Sequence, residues 1–231
     1  MKKNILCLAN SCKNGARCVA GIDLENKEWV RPVNPGGEAV RKSQIMYDNY
    51  KTVSPLDVVS IEFSKREPLY YQPENIIIDD NYTLEKVGKI KNFNQYICEE
   101  NNICSYCIFF NNSTDKLEKK YLENYKYNVH SLSLIKPNNF KIYKKDRRNF
   151  GKKAQIRACF EFNGYNYNLS ITDDSFKNQF YNGSFDYGYY RLSIEDLYLT
   201  ISLGSLYPRD KCHYKLVAAV IINEDYDIYS I

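Results

Sequence analysis

Histidine is nearly absent from this sequence. Only two of the 231 residues are histidines, His130 and His213, so few side chains can act as a general base near neutral pH. A cysteine nucleophile could be Cys18 or Cys159 assisted by His213, but no sequence signature links these residues. The chain also lacks a glycine-rich phosphate loop and a dinucleotide-binding fingerprint. The sequence therefore favours binding over catalysis, and it predicts no catalytic residues and no cofactor.

Long apolar runs are missing as well. The first four residues are followed by too few apolar residues for a signal-peptide core, and no run approaches the roughly 18 residues of a membrane span. We therefore expect a cytoplasmic protein with no membrane partner. In that compartment the eight cysteines would be mostly reduced thiols. The net charge of +4 is mild, so any affinity for nucleic acid would come from a local patch.

One group of cysteines has spacing that suits a metal site. Cys98, Cys104 and Cys107 form a C-x5-C-x2-C pattern, and His130 could supply a fourth ligand. A structural zinc site usually draws its four ligands from two paired clusters, and only one Cys-x-x-Cys pair is present. Apolar neighbours such as Phe109 favour buried free thiols. We therefore predict no bound metal, with zinc at these four residues as the alternative.

Aromatic residues, in contrast, are abundant, with 22 tyrosines and 11 phenylalanines. Tyrosine favours strands, and its amphipathic ring also suits stacking surfaces. Short apolar runs bounded by Asn, Gly and Pro predict a mostly β protein. Residues 81–127 differ, because Leu84, Val87, Leu117 and Tyr121 have helical spacing and many charges surround them. This segment predicts a small helical insertion.

The clearest local signal is a hairpin at residues 154–172. An Asn-Gly pair separates two alternating runs, and this pair favours a type I′ turn. A two-residue loop places Phe160 opposite Tyr167 on an apolar face that should lie on the core. The other face carries Arg157 opposite Ser170. It predicts a ligand surface, and cross-strand polar pairing in water is the alternative.

Both halves of the chain share a plan of three short strands, an intervening element and closing strands. Five short strands with an intervening helix suit an oligonucleotide-binding (OB) barrel, and two copies fit the length. We predict two OB-like β-barrels in tandem. The first spans residues 1–127 and includes the helical insertion at about 80–127, and the second spans residues 128–231.

Several short pieces spread over nearly the whole chain are recognisable. They are ILCLANS at 5–11, RCVAG at 17–21, WVRPV at 29–33, LDVV at 56–59, YQPEN at 71–75, SLG at 202–204 and YKLVAA at 214–219. Together they resemble a bacterial family of dual OB domain-containing proteins. The resemblance implies tandem OB folds, a nucleic-acid- or nucleotide-binding role, and no established catalytic residues. The sequence departs from the family pattern at Cys12, where a basic residue is expected.

Arginine and tryptophan on strands hold phosphates and stack on bases, and they define the candidate binding residues. Lys13 lies in a predicted loop over residues 10–15, and Lys215 lies in the last matching piece. The full candidate set is Lys13, Arg17, Trp29, Arg31, Gln72, Glu74, Arg157, Ser170 and Lys215. For Trp29, the alternative to ligand binding is a role as a core residue.

A basic run between residues 136 and 153 adds a patch that suits a nucleic-acid backbone. Its members are Lys144, Lys145, Arg147 and Arg148, and a solvated loop is the alternative. We predict a non-catalytic protein that binds nucleic acid, with single-stranded DNA or RNA preferred, through sheet-borne arginine and aromatic residues. The alternative function is a sensor that binds a nucleotide or another small anionic ligand in a cleft between the two barrels.

Overall fold

The contacts within this protein divide it into two units. In the computed structural model the first unit comprises Met1–Ile103 and Tyr125–Leu132, and the second comprises Cys104–Asn124 and Ser133–Ile231. The structure describes residues 1–13, 15–47, 50–90, 108–110, 113–124, 130–182, 185–194, 196–222 and 227–231. The strand at Lys116–Glu118, which precedes the predicted boundary after residue 127, pairs with the strand at Cys212–Ile222 in the second unit.

Five strands of the first unit form a closed barrel. The strands of this unit are β1 (Lys2–Lys13), β2 (Ala16–Asp23), β3 (Trp29–Val33), β4 (Met46–Tyr47), β5 (Lys51–Thr52), β6 (Asp57–Arg66), β7 (Asn75–Ile78) and β8 (Glu85–Lys89), with 3-10 helices at Pro35–Gly37 and Lys42–Ile45. Pairing follows the order β1-β2-β3-β7-β6, and β6 pairs in turn with β1. Within the barrel β3 and β7 are parallel, and the other pairs are antiparallel. This is the strand arrangement of an OB barrel.

A bend in β1 allows the first barrel to close. The beginning of β1 pairs with β6 and the rest pairs with β2, with a β-bulge between Cys7 and Ala9. Near this bulge a Cβ on Gly21 would lie 2.2 Å from the Leu6 carbonyl oxygen. Only glycine allows the two strands to approach so closely. The barrel interior is filled by apolar side chains that include Ile5, Val19, Val59, Ile61 and Phe63.

The second unit has its own barrel and short helices. Its strands are β9 (Lys116–Glu118), β10 (Leu132–Ile135), β11 (Asn138–Lys145), β12 (Gln155–Phe162), β13 (Tyr165–Ile171), β14 (Gly188–Leu192), β15 (Leu197–Leu203), β16 (Cys212–Ile222) and β17 (Ile228–Ser230). Its helices are α1 (Lys119–Asn124), α2 (Asp174–Lys177) and α3 (Gln179–Asn182), with 3-10 helices at Ile108–Phe110 and Arg148–Phe150. Among the described residues, no helix is both long enough and apolar enough to cross a membrane.

The second barrel is closed by the short connection between its two end strands. Its strands pair in the order β10-β15-β16-β13-β12-β11, and only Lys136 and Pro137 separate the two end strands β10 and β11. These two strands therefore act as one broken strand, and Pro137 accounts for the break because it has no N–H for a strand ladder. β13 and β16 are parallel, as β3 and β7 are in the first barrel. The prediction of two OB-like barrels in tandem is confirmed.

The predicted hairpin is formed by β12 and β13. Phe160 lies opposite Tyr167, both are buried, and their rings stack with centroids 5.3 Å apart. Asn163 and Gly164 have φ values of 48° and 79°, as a type I′ turn requires. The predicted turn and register are therefore confirmed.

Other segments differ from the sequence-based expectations. The small helical insertion is present as α1. The prediction of a helix at Leu84 and Val87 is wrong, because residues 85–89 form β8, which pairs with β6. Pairing with β6 satisfies the backbone hydrogen-bonding groups of β8, and this gain outweighs the helical spacing of two apolar residues. Residues 10–13 continue β1 and do not form the predicted loop. β14 and β17 were not predicted, and they extend the sheet beyond β11.

Candidate nucleic-acid interface

One face of the sheet in the second barrel points away from the barrel core. Directly opposed residues on antiparallel strands share a face, so the register assigns side chains to it. Tyr143 lies opposite both Arg157 and Tyr189, and Arg157 lies opposite Ser170. This outer face comprises Asn166, Asn168 and Ser170 on β13, Arg157, Cys159 and Glu161 on β12, Lys141, Tyr143 and Lys145 on β11, Tyr189 and Arg191 on β14, and Tyr229 on β17. It thus joins the hairpin and the basic run.

Two tyrosines stack within the outer face. The ring centroids of Tyr143 and Tyr189 are 4.6 Å apart, and their planes differ by 16°. Tyr189 remains 43% exposed, and Tyr187 and Phe150, which lie outside the strands, are exposed as well. Exposed rings of this kind provide stacking surface for bases.

A polar pocket of about 780 Å³ opens on the outer face. Lys141, Arg157 and Arg191 line it with positive charge, and Asp115 and Glu161 line it with negative charge. Within the part of the chain that the structure describes, neither Lys141 nor Arg191 forms an ion pair. These two cations are therefore available to an anionic ligand.

Arg157 is held in place by three hydrogen bonds. Its Nε donates to Asn168 Oδ1 at 2.6 Å, and an Nη2 hydrogen bond reaches the Asn168 carbonyl oxygen. Nη2 also donates to Asp115 Oδ2 at 3.1 Å, in an ion pair with an Arg157 side chain that is 14% exposed. Arg157 therefore shapes the pocket, and Asp115 balances part of its charge.

Cys159 is half-buried and lines this pocket. Burial raises the pKa of the Cys159 thiol, and the nearby Arg157 and Lys141 only oppose that shift. The thiol is therefore protonated near neutral pH, whereas a cysteine nucleophile needs a thiolate. A catalytic role for this cysteine gains no support from its surroundings.

The predicted basic patch divides into two parts. Lys145 belongs to the outer face, since it lies opposite Gln155. The charged groups of Lys144 and Arg148 lie 5.7 and 4.7 Å from the ring centroid of Tyr187, so they hold this ring by cation–π contacts. Arg147 directly precedes the 3-10 helix at Arg148–Phe150.

Arg31 and Glu74 come together in the first unit, but in a buried network. Arg31 N donates to the Glu74 carbonyl oxygen at 3.0 Å, and Arg31 Nη2 donates to Ser131 Oγ at 2.9 Å. Ser131 N and Oγ donate to the Glu74 carboxylate at 2.6 and 2.7 Å. Burial lowers the pKa of Arg31, and the charge of Glu74 opposes that shift. Arg31 is only 5% exposed, so the structure does not present it on a ligand surface.

The remaining candidates of the first unit are dispersed. Arg17 lies near the start of β2, whereas the half-buried Trp29 lies opposite Ile22 near the end of that strand. Five residues along a strand span about 17 Å, so the structure does not bring Arg17 and Trp29 together. Gln72 is buried. Lys13 ends β1, and its side chain lies outside the described part of the chain.

The two remaining candidates of the second unit have opposite placements. Ser170 lies on the outer face, where its hydroxyl accepts a hydrogen bond from Gln155 Nε2 at 3.1 Å. Lys215 is fully buried on β16, with Nζ 5.7 Å from the ring centroid of Tyr167. A ring face can compensate a buried ammonium in part. The structure therefore places Lys215 away from any ligand surface.

The cysteines of the alternative zinc site, Cys98, Cys104 and Cys107, lie outside the described residues. His130 is described and half-buried. Among the residues that the structure describes, no three His, Cys, Asp or Glu side chains form a group that could hold a metal ion.

Sequence reasoning missed Tyr189, Arg191 and Asp115. The first two had a usable signal, because Gly188–Leu192 is a short run rich in tyrosine that ends in an alternating Tyr-Arg-Leu. Asp115 had none, since it lies 42 residues from its partner Arg157. Only the pairing of β9 with β16 brings it to the pocket.

Comparisons with known proteins bear on the family of this chain. A search of curated proteins finds no match. Among solved structures, the crystal structure of the tetrameric p202 HIN2 is similar at 10% identity and a TM-score of 0.31, over 100% of this chain and 92% of that chain. This level of similarity adds nothing to the fold described above. The model of the dual OB-containing domain, however, matches residues 3–220. Because this match spans both barrels, the chain belongs to the dual OB-containing domain family.

Proposed function

We propose that this protein binds single-stranded nucleic acid on the outer face of its second barrel. The observation that carries the proposal is the stacked pair Tyr143 and Tyr189 on the same face as Lys141, Arg157 and Arg191. Stacking rings beside cations suit single strands, whose bases are exposed and whose phosphates are charged. OB folds bind oligonucleotides on the face of their second and third strands. In the second barrel those strands are β12 and β13.

The first barrel offers less surface for this function. In β2, which is the second strand of the first barrel, the five consecutive residues 19–23 are all buried. Successive residues of a strand point to opposite faces, so this part of β2 is covered on both sides. In β12, by contrast, buried and half-buried residues alternate from Gln155 to Glu161. The second barrel therefore carries the proposal.

Fluorescence anisotropy with labelled 12-mers tests the proposal. Single-stranded and duplex DNA and RNA would be titrated with the protein across a salt series. We expect single strands to bind more tightly than duplexes, and affinity to fall with salt as counterion release requires. Absence of binding to every 12-mer at low salt would overturn the proposal.

A variant links this binding to the outer face. Tyr189→Ala should weaken binding about tenfold, since stacking of one base on an aromatic ring contributes about 1–3 kcal/mol. Tyr50→Ala removes a ring that is 85% exposed in the first unit and is the matched control. Equal affinities for the two variants would place the binding surface elsewhere.

A further inference from the structure

The pocket on the outer face has a hydrogen-bonding pattern of its own. The Glu161 carboxylate accepts from Asn139 Nδ2 at 2.9 Å through Oε2, and an ionised carboxylate has further lone pairs. Asn168 Oδ1 accepts from Arg157 Nε at 2.6 Å, so Asn168 presents its amide N–H groups. Glu161 and Asn168 line the same pocket on neighbouring strands. The pocket therefore combines a fixed acceptor with a fixed donor.

We propose that this pocket binds a guanine base. The Watson–Crick edge of guanine has two adjacent donors, N1–H and the N2 amino group, beside the O6 acceptor. Glu161 can accept from both donors while the amide of Asn168 donates to O6. Adenine and cytosine place a ring nitrogen acceptor beside their amino group, which would face the carboxylate unfavourably. Uracil offers one N–H between two acceptors.

The rest of the lining suits the sugar and phosphate of a guanine nucleotide. Lys141 and Arg191 lie on the same pocket without ion pairs among the described residues, and they would meet phosphate oxygens. Ser113 and Thr114 add hydroxyl groups to the lining. Cys159 also lines the pocket, and its small side chain leaves room for a ligand.

This proposal deepens the proposed function and rests on it, since a guanine in a single strand would enter the pocket beside the stacked tyrosines. The probes are uridine 12-mers with one central guanosine, adenosine or inosine, measured by anisotropy against the all-uridine 12-mer. Guanosine should improve binding about tenfold, as a good bidentate contact to a base does. Inosine lacks the N2 amino group and should lose most of that gain.

Glu161→Gln should abolish the guanosine preference, measured as the ratio of the affinities for the guanosine-containing and all-uridine 12-mers. Glu25→Gln, at an exposed residue of the first unit, is the matched control and should keep the preference. Cys159→Leu, which adds bulk to the pocket lining, is the second variant and should also weaken the guanosine preference. Circular dichroism melts would show that each variant is folded.

The outcomes separate the two proposals. If all 12-mers bind equally and Glu161→Gln changes nothing, nucleic-acid binding stands and the guanine pocket is overturned. Calorimetric titration with GMP and AMP distinguishes a free nucleotide from a polymer as the source of the base. If no 12-mer binds but GMP binds and Glu161→Gln abolishes it, the guanine pocket stands and polymer binding is overturned. If neither a 12-mer nor GMP binds, both proposals are overturned.

Discussion

At the scale of single residues, burial decides which predicted binding residues can meet a ligand. Arg31 and Lys215 have the chemistry of phosphate ligands, yet both lie inside the protein. Arg157 has the same chemistry and remains at the edge of a pocket. The difference arises from the strand and the face that each residue occupies, and residue type carries no information about either.

The buried network around Arg31 predicts a stability effect. Glu74→Gln removes the negative charge that supports Arg31 and weakens the hydrogen bonds from Ser131. Because hydrogen bonds to charged groups contribute about 1.5–3 kcal/mol, we expect the free energy of unfolding to fall by about 2 kcal/mol in urea denaturation. Glu25→Gln, at an exposed position, should change it by less than about 0.5 kcal/mol. Equal values would show that the network contributes nothing.

His213 predicts a dependence of stability on pH. The residue is fully buried, its Nδ1 lies 2.8 Å from the Gly204 carbonyl oxygen, and burial lowers the pKa of His213. The unfolded chain therefore takes up a proton first as the pH falls below about 6.5. The stabilisation is complete above that pH and is lost below it, by at most about 1.4 kcal/mol per pH unit.

Urea denaturation between pH 5 and 8 measures this effect. His213→Asn should flatten the pH dependence of the free energy of unfolding between pH 5 and 6.5. If His213→Asn keeps the slope of the natural sequence, another group is responsible for it.

At the scale of elements, a local sequence pattern can be used for prediction when it is compatible with only one structure. The Asn-Gly turn and the alternation on either side fix the register of β12 and β13 without help from the rest of the chain. In β8 and α1 the local pattern is ambiguous, and pairing partners decide. Residues 85–89 form a strand because β6 offers an edge.

The start of α2 depends on Asp173, which links it to β16. Asp173 Oδ1 accepts from Phe176 N at 3.1 Å, and Oδ2 accepts from Val220 N at 3.1 Å. Asp173→Ala removes a helix cap worth about 1 kcal/mol and leaves the buried Val220 N–H without its acceptor, which costs about 1–3 kcal/mol. Together these give an expected loss of about 2–4 kcal/mol in thermal or urea unfolding.

Asp173→Asn is the informative comparison, because asparagine keeps one of the two acceptors. It should lose less stability than Asp173→Ala. If both variants are as stable as the natural sequence, neither hydrogen bond contributes measurably.

At the scale of the whole molecule, two barrels with the same strand order differ in the surface they present. The first barrel buries both sides of β2 at residues 19–23, whereas the second adds β14 and β17 beside β11 and leaves the outer face open. This contrast is the reason that our proposal places nucleic-acid binding on the second barrel. Lys141 and Arg191 on the outer face are the cations that should determine the salt dependence of binding.

The salt dependence of binding gives a quantitative prediction. For single strands, each phosphate-neutralising cation contributes about 0.7 to the slope of log K against log salt. The double variant Lys141→Ala/Arg191→Ala should therefore reduce that slope by about 1.4. Lys51→Ala/Lys65→Ala, at exposed positions of the first unit, is the control and should leave the slope unchanged. Equal slopes for both double variants would contradict the placement of the phosphates.

The β character, the hairpin register and the two-barrel plan could be predicted from the residues alone, because they depend on periodicity and turn chemistry along short stretches. The burial of particular arginines, the pairing of β14 with β11 and the contact of Asp115 with Arg157 arise only in the folded protein. These contacts join residues far apart in the chain, and no local pattern encodes them. The candidate site was therefore only half predictable: its hairpin was read from sequence, and its aromatic pair and pocket required the folded sheet.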